Sequence, residues 1–516
     1  MTLLQTAKRA LQLFRIGRVT KIVLRTQNET ERLLAKRALV ALFADARGIS
    51  MKVGQLFAGN DGATPFQELV VGIEPLPLKT MLSLLEQELG QPVKNIFRKI
   101  EPAIAAASLG QVHLAELRNG DKVAIKIRYP DIAEAVEAEL RLIGLMPGVG
   151  PVKRWGFDVE AYKKSLRDNM HRELDYRSEA QRQQYFGQVV IVPGLQVPTI
   201  VKDLCSERVL VQSRAEGVSI DKVSEWSVQE RLAIGQILML TLFKSLFVAG
   251  EVHGDPHPGN SFYNHDQNGQ PQVTLLDFGC TLSITEQRRL ALLKLIVACR
   301  EKNTVKPLEC FAALGFDGKK LNAISGSLPA LSQLLFKPFL VSYPFDLKQW
   351  RVGDSINDLL GDYRWWFRSA GPSDLFLLLR AFQGLTQQLQ QLDVSLSWWA
   401  LLQQAVGPEL IRQAIQYQLP SIDEELAMTA LSFAQQAKHL CVRVTKDNEP
   451  YVSVKMPAEA VFELEQFIPE EVLERINASG IIDLQQLSVA LRVNGIIPQD
   501  LFVFEDQRKI YKVWLE

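Results

Sequence analysis

Two turn-forming runs interrupt an otherwise helical stretch from about residue 227 to 440 and limit the folds that this chain can adopt. VHGDPHPGN spans residues 252–260, and LLDFG spans residues 275–279. Between them, NHDQNGQPQ supplies a polar turn between two short apolar segments, which is the pattern of a β-hairpin. We therefore predict a hairpin whose two chain ends carry these runs, an arrangement that would bring Asn260 and Asp277 together.

A second β-rich region lies earlier, where residues 104–129 read IAAASLGQVHLAELRNGDKVAIKIRY. Its two strand-like stretches flank Arg118–Asp121, which contains Asn-Gly, a strong signal for a tight hairpin turn. The chain before it and the chain from about 227 to 440 have helical periodicity, and strand-like alternation returns from residue 441. These changes of pattern predict four domains, at 1–100, 101–218, 219–440 and 441–516.

Composition excludes several classes of protein. A chain of 516 residues with 47% hydrophobic content can bury sizeable cores. Lys plus Arg and Asp plus Glu are both 58, so we expect no nucleic acid to be bound through bulk charge. The five cysteines show no metal-type spacing, which predicts reduced thiols, no structural zinc and a cytoplasmic setting.

The first 25 residues form a basic amphipathic pattern without an acidic residue. Two interpretations stay open: the helix associates peripherally with an anionic membrane face, or it docks on its own domain with a solvated basic face. The pattern lacks the apolar core and cleavage site of a secretory signal. A later apolar stretch, residues 232–250, is interrupted by Lys244 and predicts a buried helix instead of a membrane span.

Lys126 lies inside the apolar strand pattern VAIK, where a buried amine needs an anionic partner such as a phosphate. An edge-strand lysine pointing to water is the alternative. The preceding AAASLGQVH run is rich in small residues, which let backbone N–H groups approach phosphate oxygens. The candidate nucleotide-binding residues of this loop are Ala105, Ala106, Ala107, Ser108, Leu109, Gly110 and Gln111.

The acidic residues in the two turn-forming runs have the order and spacing that phosphoryl transfer uses in protein kinases. Asp255 precedes Asn260 by five residues, and Asp277 begins an Asp-Phe-Gly. Ordinary turn residues are the alternative, because Asp, Pro, Gly and Asn are common in turns. Upstream, HRELDYRSEA lies on a predicted helix, and either Glu173 or Glu179 should pair with Lys126.

Six motifs in this order resemble the UbiB/ADCK (AarF-type) family of atypical kinases: MKVGQ, AAASLGQVH, VAIK, RELDYRSEA, VHGDPHPGN and LLDFG. Residues 377–395, LLLRAFQGLTQQLQQLDVS, are similar to the late helical segment of that family. The resemblance implies an α+β, atypical protein-kinase-like fold. We expect a small β-containing N-lobe preceded by extra helices and a mostly helical C-lobe, with a small C-terminal α+β domain after them.

The same resemblance implies roles for individual residues. Lys126 would contact ATP phosphates with Glu173 or Glu179 as its partner, and Asp255 would be the catalytic aspartate. Asn260 and Asp277 would be Mg²⁺ ligands, so ATP and Mg²⁺ are the implied cofactors. Lys52 and Gln55 of MKVGQ would be an inhibitory cover over the nucleotide site.

The implied function is an ATP-binding kinase or ATPase linked to lipid or isoprenoid-quinone metabolism at a membrane surface, with an isoprenoid lipid or quinone precursor as a candidate partner. The alternative is a nucleotide-gated lipid-binding or scaffold protein with little turnover. The basic residues 1–25 and two tryptophan pairs, Trp365–Trp366 and Trp398–Trp399, favour this alternative if they contact a membrane. An ordinary protein kinase is disfavoured, because no Ala-Pro-Glu follows Asp277.

Overall fold

The computed structural model describes residues 75–106, 109–144, 155–423, 430–447, 449–480, 482–506 and 508–516. The chain folds into a β-containing lobe, a helical lobe and a C-terminal α+β unit, which is the predicted α+β, kinase-like class. The four domain boundaries stay a prediction. The N-terminal residues, with Lys52 and Gln55, lie outside the described part of the chain.

The first lobe begins with two helices that lead into an antiparallel sheet in the order β1-β2-β3-β5. Its elements are α1 (Leu78–Leu89), α2 (Val93–Ile96), β1 (Phe97–Ala106), β2 (Gly110–Leu117), β3 (Lys122–Arg128) and β5 (Val209–Ser213). The turn between β2 and β3 is the predicted Asn-Gly hairpin, which is confirmed. Gly120 has φ +94° there, a conformation that glycine adopts without steric cost.

Three helices follow β3: α3 (Ile132–Gly144), α4 (Val159–Leu174) and α5 (Tyr176–Val189). The prediction of one continuous helix through HRELDYRSEA is wrong, because the chain leaves helical geometry at Asp175 (φ −106°, ψ 93°). The Asp175 carboxylate accepts hydrogen bonds from the N–H groups of Arg177 and Ser178 and so caps a new helix. The break redirects the chain, so Glu173 and Glu179 lie on different helices.

The second lobe is mostly helical and holds two small sheets, in the orders β4-β8-β7 and β6-β9. The strands are β4 (Leu195–Gln196), β6 (Glu251–His253), β7 (Ser261–His265), β8 (Pro271–Leu275) and β9 (Thr281–Ser283). The helices are α6 (Ile220–Val223), α7 (Val228–Phe243), α8 (Glu286–Glu301), α9 (Pro307–Ala313), α10 (Gly318–Asn322), α11 (Leu328–Leu335), α12 (Lys337–Leu340), α13 (Val352–Leu360), α14 (Arg364–Ala370), α15 (Leu375–Gln391) and α16 (Trp398–Gln416).

Helix α7 continues as a π-helical segment, Lys244–Ala249, which delivers the chain to β6 and the VHGDPHPGN loop. In the described part of the chain, Val228–Ala249 is the one helix long and apolar enough to cross a membrane by length and composition. In its most apolar window, 61% of the residues are buried inside the fold. This packing agrees with the prediction that the apolar stretch interrupted by Lys244 is a buried helix.

The C-terminal unit is a sheet in the order β11-β10-β13-β12 with two helices. Its elements are β10 (His439–Lys446), β11 (Glu449–Pro457), α17 (Glu470–Ser479), α18 (Leu484–Asn494), β12 (Gln499–Asp506) and β13 (Lys509–Leu515). Although the sequence predicts a separate unit, its hydrophobic core is continuous with that of the helical lobe. Arg492 Nε also donates to the carbonyl of Leu359 at 2.8 Å, which ties α18 to α13.

Candidate active site

Lys126 on β3 lies at the centre of a cluster of charged side chains between the two lobes. Its Nζ donates to both carboxylate oxygens of Glu179 at 2.8 and 3.0 Å and to Oδ1 of Asp277 at 3.3 Å. The side chain of Glu179 is 2% exposed and that of Lys126 is 17% exposed. The ammonium group therefore points into the site, and the alternative of an edge-strand lysine in water is wrong.

Burial by itself would lower the pKa of Lys126, but the carboxylates of Asp277 and Glu179 outweigh it and hold this pKa well above its ordinary value. Tyr176 offers its ring to the same ammonium, with Nζ 4.9 Å from the ring centroid. Burial raises the pKa of the Tyr176 hydroxyl, so that ring stays neutral. The Lys126 side chain is thus positively charged and can bind an anion.

The structure distinguishes the two glutamates that the sequence leaves open. The carboxylate hydrogen-bonded to Lys126 is Glu179, on α5. Glu173, near the end of α4, instead lies by the Asp-Phe-Gly turn, with its Cγ 3.6 Å from a Cβ built on Gly279. The assignment of Glu173 as the partner of Lys126 therefore gives way to Glu179, because the break at Asp175 separates the two residues.

The Asp-Phe-Gly turn has an unusual backbone that its neighbours hold in place. Asp277 has φ +59°, a left-handed conformation that is uncommon outside glycine, and its Oδ1 accepts from the N–H of Gly279 at 3.1 Å. Phe278 is fully buried and packs on Phe186 and on His253, each with ring centroids 5.1 Å apart. Backbone strain of this kind is often found at functional sites.

His253 ties the end of β6 to this turn. Its Nε2 donates to the carbonyl oxygens of Leu276 and Asp277 at 3.0 and 2.7 Å. Burial lowers the pKa of this imidazole, against the opposing effect of the charges on Asp255 and Asp277. Sequence reasoning did not single out His253, because one histidine beside a turn has no distinctive pattern.

The VHGDPHPGN loop, which carries Asp255 and Asn260, lies beside the Asp-Phe-Gly turn. The hairpin prediction requires this position for Asn260. The N–H of Leu276 donates to the carbonyl of Asn260 at 2.8 Å, so the two chain ends of the β7–β8 hairpin are joined. Asn260 Nδ2 donates to the carbonyl of Asp255 at 2.9 Å. Within the loop, His257 makes a structural hydrogen bond, since its Nδ1 accepts from the N–H of Gly259 at 3.0 Å.

Asn260 and Asp277 fit the predicted role of Mg²⁺ ligands in their donor chemistry. The Asn260 amide nitrogen bonds within its own loop, which directs the amide oxygen elsewhere, and the Asp277 side chain is 39% exposed. Mg²⁺ prefers such oxygen ligands and is usually held by one or two protein groups together with phosphates. The part of the chain that the structure describes contains no group of three or more His, Cys, Asp or Glu that could hold a metal ion by itself.

The alanine-rich run includes the end of β1 and the start of β2, with Ala105 paired to Val112 and Ala106 paired to Gln111. Ala105 and Ala106 are at least partly exposed, whereas Ala107 and Ser108 lie outside the described residues. Gly110 packs closely on β3, because a Cβ built there would lie 2.4 Å from the carbonyl oxygen of Ile127.

Two residues of this run have buried side chains, which leaves only their backbone groups for contact with a nucleotide. Leu109 is 5% exposed and belongs to the hydrophobic core of the first lobe. The Gln111 side chain is fully buried: its Oε1 accepts from the N–H of Leu76 at 2.8 Å, and its Nε2 donates to the Leu76 carbonyl at 3.1 Å. The Gln111 side chain therefore anchors the segment that enters the lobe, and nucleotide binding by the backbone of this run stays a prediction.

His113 completes this buried network. Its ring bonds to the Glu101 carbonyl through Nδ1 and to Gln111 Nε2 through Nε2, at 2.8 and 3.0 Å. Since a carbonyl only accepts, Nδ1 carries the proton and Nε2 is the acceptor for the amide. Burial lowers the pKa of His113 below its ordinary 6.5, against the opposing effect of the Glu101 carbonyl.

We expect acid to destabilise the fold through His113. Because its pKa is lower in the folded than in the unfolded chain, its contribution is complete above pH 6.5 and is lost as the pH falls toward the folded-state pKa. Urea unfolding between about pH 7 and pH 5 should show a smaller loss of stability in His113→Gln than in the wild type. Equal slopes for the wild type and His113→Gln would contradict this expectation.

Arg182 also escaped sequence reasoning, because an arginine on a helix usually faces solvent. It lies one turn beyond Glu179 on α5, and its Nε donates to the carbonyl of Phe278 at 3.1 Å. Its Nη2 reaches the carbonyl of Gly279 at 3.3 Å. One face of α5 therefore contacts Lys126 through Glu179 and the Asp-Phe-Gly turn through Arg182.

The tryptophan pairs are mainly packed within the protein. Trp398 is 1% exposed in the core of the helical lobe, and Trp399 lies under the guanidinium of Arg300 at 4.8 Å. Trp366 makes an edge contact with Trp155, with ring centroids 5.7 Å apart. Trp398 therefore packs in the core and is not available to contact a membrane.

A strand lysine paired with a helix glutamate, opposite an Asp–Asn loop and an Asp-Phe-Gly turn, defines a protein-kinase-like fold with its site between a β-containing and a helical lobe. After the turn, β9 leads directly into α8, with no long activation segment between them. This short connection agrees with the missing Ala-Pro-Glu.

Residues 68–310 match the family model described as the ABC1 atypical kinase-like domain. The resemblance of the chain to the UbiB/ADCK (AarF-type) family of atypical kinases is confirmed over these residues. The mitochondrial atypical kinase COQ8B of Rattus norvegicus is 28% identical over 334 residues, covering 62% of each chain. The chloroplastic protein ACTIVITY OF BC1 COMPLEX KINASE 1 of Arabidopsis thaliana is 31% identical over 280 residues, covering 51% of this chain and 39% of that relative.

The chain thus spans less than two thirds of the length of these two relatives. Among solved structures, the complex of Rv3197 with erythromycin from Mycobacterium tuberculosis is 24% identical, with a TM-score of 0.49. That similarity covers 74% of this chain and 98% of the other.

Proposed function

We propose that this protein is an ATP-binding atypical kinase or ATPase that carries out Mg²⁺-dependent phosphoryl transfer. The observation that carries the proposal is the cluster in which Lys126 contacts Glu179 and Asp277. A cation held by two carboxylates at the junction of two lobes matches the arrangement by which kinases bind phosphates. The names of the relatives, which describe them as kinases, support the same reaction class.

Each residue of the site would have a different role in the reaction. Lys126 would bind phosphate oxygens, and Glu179 would keep its ammonium group directed into the site. Asp255 would orient the hydroxyl group or water molecule that attacks and would hold its proton. Asn260 and Asp277 would hold Mg²⁺, which would neutralise phosphate charge when bound.

The test is release of ADP from ATP by the intact chain, measured with Mg²⁺ and with excess EDTA. We expect turnover only with Mg²⁺, and we expect Mg²⁺ plus ATP to raise the unfolding midpoint by mass action. A protein whose midpoint does not respond to Mg²⁺ plus ATP and that releases no ADP would contradict the proposal. Strong phosphorylation of a generic protein substrate would instead favour an ordinary protein kinase.

The finer parts of the proposal are a link to lipid or isoprenoid-quinone metabolism and peripheral association with the cytoplasmic face of a membrane. The first of these follows from the family resemblance. The second rests on residues 1–25, which lie outside the described part of the chain, so it remains a prediction. The alternative, a nucleotide-gated lipid-binding or scaffold protein, predicts an ATP-dependent rise in midpoint with almost no ADP release.

A further inference from the structure

Asp255, the proposed catalytic aspartate, forms an ion pair with a helix far along the chain. Nη2 of Arg380 on α15 donates to Oδ1 of Asp255 at 2.6 Å. The side chains are 20% and 15% exposed, so water screens this pair less than an exposed one. The VHGDPHPGN loop contains no lysine or arginine of its own, and Arg380 brings a positive charge to it from outside.

The same face of α15 contacts the loop at two further positions. A Cβ built on Gly384 would lie 2.6 Å from Cγ and 2.8 Å from the carbonyl oxygen of Pro256, so only glycine permits this approach. Gln388 Nε2 donates to the Pro256 carbonyl at 2.7 Å. Residues 380, 384 and 388 are four apart and therefore lie along one face of the helix.

Gln388 is itself held by a buried partner. Its Oε1 accepts from the hydroxyl group of Tyr263 at 2.6 Å, and Tyr263 lies on β7, directly after the loop. The loop is consequently held between β7 and α15. This support makes the position of Asp255 depend on α15, although the two are separated by 125 residues at the Arg380 contact.

We propose that Arg380 is a positioning residue for Asp255 that sets the orientation of its carboxylate and offsets its charge as a phosphate approaches. This inference rests on the proposed function and adds a residue that none of the sequence motifs contains. A guanidinium suits the role because its planar fork restricts the carboxylate that it binds. Without that cation, Asp255 would rotate more freely and would repel the phosphate.

The test compares ADP release by the wild type, Arg380→Ala and Arg380→Lys in the intact chain. We expect kcat of Arg380→Ala to fall by about 10- to 100-fold, the effect of misplacing a reacting group by about 1 Å. The KM for ATP should change little, because Lys126 and Asp277 are untouched. Arg380→Lys should recover part of the rate, and added guanidinium, far below unfolding concentrations, should partly restore Arg380→Ala.

Arg288→Ala is a matched control. Arg288 pairs with Asp374 at 2.6 and 3.1 Å just before α15, with a similar side-chain exposure of 22%. It should reproduce any general weakening of α15 without lowering kcat and without a response to guanidinium. Equal losses of kcat in the two alanine variants, or no rescue of Arg380→Ala, would overturn the role of Arg380.

The wild type separates this inference from the proposed function. A wild type that releases no ADP overturns both proposals. An active wild type beside a fully active Arg380→Ala overturns the role of Arg380 alone. A selective loss of kcat with guanidinium rescue supports both.

Discussion

Replacing Glu179 by glutamine should lower the free energy of unfolding by about 3 kcal/mol and ADP release by at least about tenfold. Removal of one partner of a buried ion pair costs about 3–5 kcal/mol, because it leaves a buried charge without full compensation. The lower end applies here, since Lys126 keeps Asp277 at 3.3 Å. The rate falls because nothing then directs the ammonium group toward phosphate.

Urea unfolding and ADP release measure the two effects. Glu207→Gln is the matched control: Glu207 also pairs with a buried cation, Arg128, at 3.3 Å, but its own side chain is 67% exposed. That variant should lose less than about 1 kcal/mol, as exposed pairs do. A Glu179→Gln variant as stable and active as Glu207→Gln, beside an inactive Glu173→Gln, would return the role of partner to Glu173.

Asp277→Asn should reduce Mg²⁺-dependent ADP release by at least about 100-fold while the fold survives. The substitution removes the negative charge that faces Lys126 and would meet Mg²⁺. Its amide oxygen can still accept from the N–H of Gly279, and asparagine tolerates the φ of +59° at this position. We therefore expect the loss in rate to exceed any loss of stability.

Asp393→Asn provides the control for this substitution. Asp393 also has a positive φ, of +52°, but lies at the surface, where it pairs with Lys348. It should retain full ADP release. Substantial turnover by Asp277→Asn would contradict the assignment of Asp277 as a Mg²⁺ ligand, and an unfolded Asp277→Asn would show that its charge is needed for folding instead.

Much of the fold was accessible from local sequence patterns, because hairpins depend on neighbouring residues. The Asn-Gly of Arg118–Asp121 requires a backbone that glycine permits, and the turn forms where expected, with Gly120 at φ +94°. The hairpin between the two turn-forming runs follows equally from a polar turn flanked by apolar segments. Each prediction rests on interactions within one short stretch of chain.

Where a local sequence pattern was compatible with two structures, the prediction made from it was less reliable. The helical periodicity through HRELDYRSEA does not reveal that Asp175 caps a second helix, because aspartate is also acceptable on an exposed helix face. Likewise, Gln111 in a loop rich in small residues resembles a ligand-binding side chain. Only the burial of Gln111 and its two hydrogen bonds to the backbone of Leu76 show it to be an anchor.

The sequence by itself determined which residues are candidates for the chemistry: Lys126 in an apolar strand, Asp255 and Asn260 in one loop, and Asp277 in the next. Their types and local spacing suffice, because each motif lies within a few residues. Only the tertiary structure decided that Glu179 partners Lys126, across 53 residues, and that Arg380 reaches Asp255, across 125. Such pairings depend on how helices α5 and α15 pack against distant segments, and the periodicity of a helix specifies its buried face without specifying what that face will meet.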